Sequence, residues 1–137
     1  MRGRVLAVDP GTVRVGLAVS DPLRITAQPL EVVPAPDAIA RITAICGELG
    51  VEEVIVGLPI TEQGEEGEAA RMARELVREL EESTGLPVTA VDERYTSRMA
   101  ESALIEAGVR RRRRRVSVDK MAAAVLLRGY LDAGGDR

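Results

Sequence analysis

Histidine is absent from this sequence, and cysteine occurs once, as Cys46. Without histidine there is no imidazole base, no serine–histidine nucleophile pair and no His-ligated zinc site. A single thiol can neither close an intramolecular disulfide nor build a thiolate metal cluster, which fits a cytoplasmic setting. Cys46 stands among Ile39, Ile42, Ile45 and Leu49 at helical spacing and reads as a buried structural thiol rather than a reactive one. Tryptophan and phenylalanine are missing as well; Tyr95 and Tyr130 are the only aromatics, too few for the stacking platform of single-strand binders. No apolar run approaches the roughly 18 residues of a membrane span. Residues 1–8 lead directly into a strand pattern, with none of the layout of a signal peptide. Any catalysis is left to carboxylates, hydroxyls, lysine, arginine and bound metal.

What is present is a chain of 137 residues, the length of one domain with one well-buried core. Its net charge of −3 offers no general attraction to phosphates, but the charge is unevenly spread. Arg110, Arg111, Arg112, Arg113, Arg114 and Arg115 form an unbroken run; without it, 13 basic residues would face 22 acidic ones. A solvated charge run is the ordinary fate of such a block. Six arginines without one intervening acid, on an acidic body, favour an anionic partner.

Residues 4–8 read as a short apolar strand ended by the turn Asp9-Pro10-Gly11, and residues 15–20 as a second strand in an antiparallel hairpin. A third strand over 25–33 carries Pro29, which suits a sheet edge. Asp37 is placed to cap a helix running to about residue 49, with Gly50 at its end. A fourth strand over 53–56 stops at Gly57-Leu58-Pro59, and a polar loop over 61–68 follows. Ala69, Met72, Ala73, Leu76, Val77 and Leu80 mark a helix over 68–83, closed by Gly85. A fifth strand over 88–91 reaches Asp92-Glu93. Thr96 or Ser97 then caps a short helix to about residue 107, Gly108 opens an arginine-rich connection, and Ser117 or Asp119 starts a last helix over 120–132. The order βββαβαβαα predicts an α/β fold: a five-stranded mixed sheet with helices on both faces.

If strands one, four and five are parallel, Asp9 and Asp92-Glu93 lie on one edge of the sheet, where α/β proteins place their sites. Asp119 can fold back over that edge. Such a carboxylate cluster suits Mg2+ or Mn2+, which take hard oxygen ligands together with substrate phosphates. Two such ions about 3.5–4 Å apart activate water and stabilise a leaving oxygen without any histidine. Each acid also has a plainer reading. Asp9 fits a turn, Asp119 fits a helix cap, and Glu93 fits a surface pair with Arg94 or Arg98.

Four segments together resemble the YqgF/RuvX family, the small RuvC-like proteins regarded as Holliday-junction resolvases and as pre-16S rRNA nucleases. The first is Asp9-Pro10-Gly11-Thr12-Val13-Arg14-Val15-Gly16-Leu17-Ala18-Val19-Ser20-Asp21, similar to the family's DxGxxRxGxAxSD opening. The second is Val56-Gly57-Leu58-Pro59, with Gly64 and Gly67 in the loop behind it. The third is Asp92-Glu93-Arg94-Tyr95-Thr96-Ser97. The fourth is the basic run followed by Asp119 and then Met121-Ala122-Ala123-Ala124-Val125-Leu126-Leu127. They cover nearly the whole chain, in order and with suitable spacing.

The resemblance implies an RNase H-like fold and a metal-dependent nuclease, with Asp9, Glu93 and Asp119 as the catalytic, metal-binding triad and Asp92 as a neighbour able to share the task. It implies that Arg14 and Arg94 position phosphates or orient the acids, and that Thr96 and Ser97 combine capping with a phosphate contact. Gly11 and Gly16 would permit tight backbone near the site. Two features depart from the family. Val91 stands where an aromatic is usual before the Asp-Glu-Arg segment, and the 61–68 loop carries four glutamates, an unfavourable rim for phosphates.

Two rival classes are weighed. An ATP-dependent phosphotransferase of the actin and sugar-kinase type shares the ancestral fold but needs two such domains, and this chain is too short for both. A non-catalytic RNA-binding ribosome-assembly factor would use the arginine run and keep the acids for stability alone. Within the nuclease reading, the scarcity of aromatics argues for recognition of backbone and shape. Structured nucleic acid is therefore the expected partner, either pre-16S rRNA, towards which the balance leans, or branched DNA, with no role for a membrane. A junction resolvase works as a homodimer making two symmetric cuts. No dimer seam is visible in the sequence.

Overall fold

The computed structural model describes residues 3–61, 63–93 and 111–134, apart from the side chains of 111–119. Its elements are β1 (Arg4–Asp9), β2 (Arg14–Ser20), β3 (Ala27–Pro34), α1 (Ala38–Leu49), β4 (Val51–Leu58), α2 (Glu68–Thr84), β5 (Val88–Asp92) and α3 (Arg111–Asp132). The five strands form one mixed sheet in the order β3-β2-β1-β4-β5. β1 pairs antiparallel with β2 and parallel with β4, and β4 pairs parallel with β5. The C-terminal ends of β1, β4 and β5 therefore share one edge, as the expected topology requires.

β1 sits in the middle, covered on both sides, and Val5, Leu6, Ala7 and Val8 are all fully buried. Alternation along the strand sends these side chains to opposite faces. Leu6 and Val8 join Leu17, Ile42, Ile45, Val54, Val56 and Leu80 under α1 and α2. Val5 and Ala7 join Ala18, Ile55, Ala123 and Leu127 under α3. Small residues dominate this second layer, and they let α3 lie close against β1 and β2.

The local signals worked where the chain punctuates itself. Gly50 and Gly85 end α1 and α2 in the left-handed conformation, at φ 66° and 71°. Pro29 lies on β3, an edge strand. The Cys46 thiol is buried in the core, and desolvation pushes it up to about 11, so it is an inert thiol.

Three expectations are corrected. Asp37 makes no side-chain cap bond; it closes a 3-10 turn, Ala35–Asp37, that leads into α1. β4 runs on through Gly57 to Leu58, because β5 continues the hydrogen-bonded ladder beside it with Gly57 opposite Val91 and Leu58 opposite Asp92. The last helix begins at Arg111, so Arg111 to Arg115 are helical rather than a connection. Arginine is a strong helix former, and no glycine or proline interrupts the segment before Gly129. Asp119 consequently lies inside α3, which removes the capping explanation for it. The short helix expected after Thr96 falls outside the described residues.

Among the described residues, no helix is long and apolar enough to cross a membrane.

Candidate active site

Asp9 ends β1. Alternation from Val5 and Ala7 places its side chain on the α3 face of the sheet. Gly16 stands directly across from it on β2. On its other side, one step past the Val8–Val56 pair, comes Gly57. Both flanking strands thus present a residue without a side chain next to the Asp9 carboxylate. The turn that follows is equally tight: a Cβ on Gly11 would come within 2.4 Å of the Arg14 carbonyl oxygen.

Glu93 follows β5, and its backbone N–H donates to the Leu58 carbonyl at 3.2 Å, extending the β4–β5 ladder by one step. Its carboxyl reaches back over Gly57 to Asp9. One oxygen, Oε2, is shielded from water and has no hydrogen-bond partner. The group's pKa is pushed up to about 10, first by burial, then by its hydrogen bond to Asp9, and then by the negative charges of Asp9 and Asp92. Burial and the two neighbouring acids thereby favour the protonated form of Glu93. Two carboxyl groups in contact, one of them with an unsatisfied oxygen, form an arrangement that a cation would relieve.

Asp92, the neighbour thought able to share the task, lies differently. Val88 and Ala90 pack under α1 and α2 while Val91 packs under α3, so alternation turns Asp92 away from the face that carries Asp9 and Glu93. It is exposed and acts on Glu93 only through its charge. Arg14 opens β2 on the α3 face, two residues from Gly16. Asp119 lies on α3, about two helical turns before Leu126, which packs over the sheet. Its side chain, like those of Arg111, Arg112, Arg113, Arg114 and Arg115, is outside the described set, as are Arg94, Thr96, Ser97 and Arg110 entirely. Among the described residues, no group of three potential ligands meets. Of the expected triad, the two members whose side chains are described, Asp9 and Glu93, meet.

The acidic 61–68 loop is more ordered than a rim of loose charges. Ile60 bridges to Glu66, the Thr61 N–H donates to the Glu65 carbonyl at 2.9 Å, and Arg74 clamps Glu66 through two bonds of 2.7 Å. One of its glutamates is thus neutralised locally. Sequence reasoning missed Gly57 as part of the site, because a glycine before Leu-Pro reads as a turn; its place beside Asp9 depends on the strand register.

These elements define an RNase H-like α/β fold with an acidic pair at the mouth of its parallel strands. A family model described as RuvX, Holliday junction resolvase, matches residues 3–133, and the chain belongs to that family. A curated protein of Lachnospira eligens named "Putative pre-16S rRNA nuclease" is 42% identical over 136 residues, spanning 95% of this chain and 97% of that protein. One of the same name from Rhodococcus erythropolis is 45% identical over 139 residues, spanning 96% of this chain and 78% of its own. Among solved structures, T. thermophilus RuvC in complex with a Holliday junction substrate aligns with a TM-score of 0.59 at 22% identity, over 96% of both chains. That likeness speaks for the fold.

Proposed function

We propose that this protein is a metal-dependent nuclease that hydrolyses phosphodiester bonds in structured nucleic acid, with precursor 16S rRNA as its substrate. The observation that carries the reading is the shielded, unpartnered Oε2 of Glu93 beside the Asp9 carboxylate. A carboxylate pair of this kind, without histidine or a thiolate nearby, is a donor set for a hard divalent cation such as Mg2+ or Mn2+. Asp9 and Glu93 would hold it, with Asp119 as third ligand from α3. When bound, such a cation supplies an activated water and charge neutralisation at the phosphate.

The chain's own residues do the rest. In the metal-free protein, Glu93 keeps a proton directed at Asp9 and must release it for ligation. Gly16 sets no side chain beside Asp9 on the β2 side, and Gly57 leaves room on the β4 side for the Glu93 carboxyl. Arg14 and Arg94 position the scissile phosphate, Thr96 and Ser97 contact its neighbour, and Arg110 to Arg115 hold the backbone further along. The choice of rRNA rests on the names of the curated relatives; a four-way DNA junction is the competing substrate, drawn from the family's description.

The test is cleavage by purified protein with Mn2+ or Mg2+ of three substrates: an RNA carrying the 5′ precursor segment of 16S rRNA, a four-way DNA junction and a linear duplex. The RNA is cut, and Asp9→Asn abolishes cutting while leaving binding intact. Binding without cutting by the wild-type protein under every metal condition would replace this reading with that of a non-catalytic assembly factor.

A further inference from the structure

We infer that Gly57 is a positioning residue of the site: its missing side chain is the space in which the Glu93 carboxylate lies against Asp9. The inference rests on the metal-site reading above. A Cβ built on Gly57 would stand 2.3 Å from Glu93 Oε2, 3.0 Å from its Cδ and 3.2 Å from Leu126 Cδ2. The first distance is shorter than non-bonded atoms tolerate, and the other two are tight.

What has to move is decided by what is fixed. The Glu93 backbone is tied to β4 by its N–H bond to Leu58, and Gly57 is held within β4, opposite Val91 on β5. The far end of the Glu93 side chain is the one free element. An alanine at 57 therefore displaces the carboxyl, and with it the Asp9–Glu93 contact, while the sheet and the packing of α3 stay nearly as they are. Gly57 does not adopt a positive φ, so alanine meets no backbone strain there. The contact that is cheapest to lose for folding is the one that matters for ligation. Gly47, where a Cβ would meet nothing within 4 Å, provides the matched control.

The experiment is a Mn2+ titration of the intact protein, read by calorimetry and by the metal-induced rise in melting temperature, for wild type, Gly57→Ala, Gly47→Ala and Gly57→Ala combined with Glu93→Asp. We expect Gly57→Ala to melt within about 4 °C of wild type without metal. Its Mn2+ affinity falls about 10- to 100-fold, the usual cost of mispositioning a ligand. Gly47→Ala binds as wild type, and the shorter acid in the double variant withdraws from the added methyl and recovers part of the affinity. If wild type gains stability from Mn2+ and Gly57→Ala gains as much, the positioning role is wrong although the metal site stands. If wild type itself shows no Mn2+ response, the metal-site reading falls and takes the inference with it.

Discussion

Two glutamates lie on the α3 face of the sheet, at opposite ends of the parallel strands, and the chain treats them in opposite ways. Glu53, near the start of β4, is fully provided for: Arg24 Nη1 donates to Oε1 at 2.9 Å and the Tyr130 hydroxyl donates to Oε2. The pair is well covered, with side-chain exposures of 8% for Arg24 and 16% for Glu53. Arg24 takes a positive φ of 59° to reach it and also donates to the Gly3 carbonyl at 3.0 Å. Glu93, past the end of β5, has two acids for company and one oxygen with no partner. A buried carboxylate with a cation and a hydroxyl is a clamp. One beside other carboxyls concentrates negative charge without an offsetting partner, and that difference separates the clamped end of this sheet from the end proposed to do chemistry.

The sharpest way to break that comparison is to remove charge at the chemical end. Asp9→Asn should take metal-dependent cleavage below detection in a gel assay while the melting temperature without metal stays near wild type; cutting at the wild-type rate would end the assignment. At the structural end, the largest effect is on stability. Glu53→Ala strands Arg24 and Tyr130 and should cost about 2–3 kcal/mol by denaturant unfolding, somewhat under the full value for a buried pair because water still reaches it. A loss comparable to that of an exposed pair would show that the clamp is ornamental.

Glu93 should respond with the opposite sign. Its carboxyl titrates at about 10 in the folded protein against an ordinary 4.5, so the folded state holds a proton that the unfolded state has already lost. Without metal, this group therefore lowers stability progressively as pH rises from about 4.5 towards 10. Glu93→Gln should melt close to wild type at pH 5 and increasingly above it by pH 9, as measured by thermal scans across that range. A gap that does not widen with pH contradicts the shift. The smallest effect concerns the basic helix. Replacing Arg111, Arg112 and Arg113 by alanine should flatten the salt dependence of nucleic-acid binding by up to about 0.9 in logarithmic slope for each arginine that meets a phosphate. An unchanged slope would make the run a solvated surface.

The same comparison shows which parts of the molecule the sequence discloses. Strand ends announce themselves: Asp9 before Pro-Gly, and Asp92-Glu93 after an apolar run, share an edge if strands one, four and five are parallel, a condition the strand order left open and the ladder pairing meets. Distant partnerships stay hidden. Nothing near Glu53 reveals that it meets Tyr130, 77 residues away, since Glu52-Glu53 at the start of a strand reads as solvent-facing. Gly57 was visible as a breaker and as part of a family-like segment, but its place beside Asp9 was not, because its neighbours are set by strand register. The start of α3 was misplaced for a different reason. A run of like charges suggests a loop on electrostatic grounds, yet arginine's own preference is helical, and over Arg111 to Arg115 that preference prevailed.

Asp9 and Glu93 are proposed to hold a cation, and a Glu93 carboxyl that favours its protonated form must give up a proton when that cation binds. Calorimetric titration of Mn2+ at pH 7.5, in two buffers of different ionisation enthalpy, counts the protons released on binding. For this pair the expected release is about one proton per site, absent in Glu93→Gln. Release of no protons by the wild-type protein, or the same number by the variant, would contradict the account.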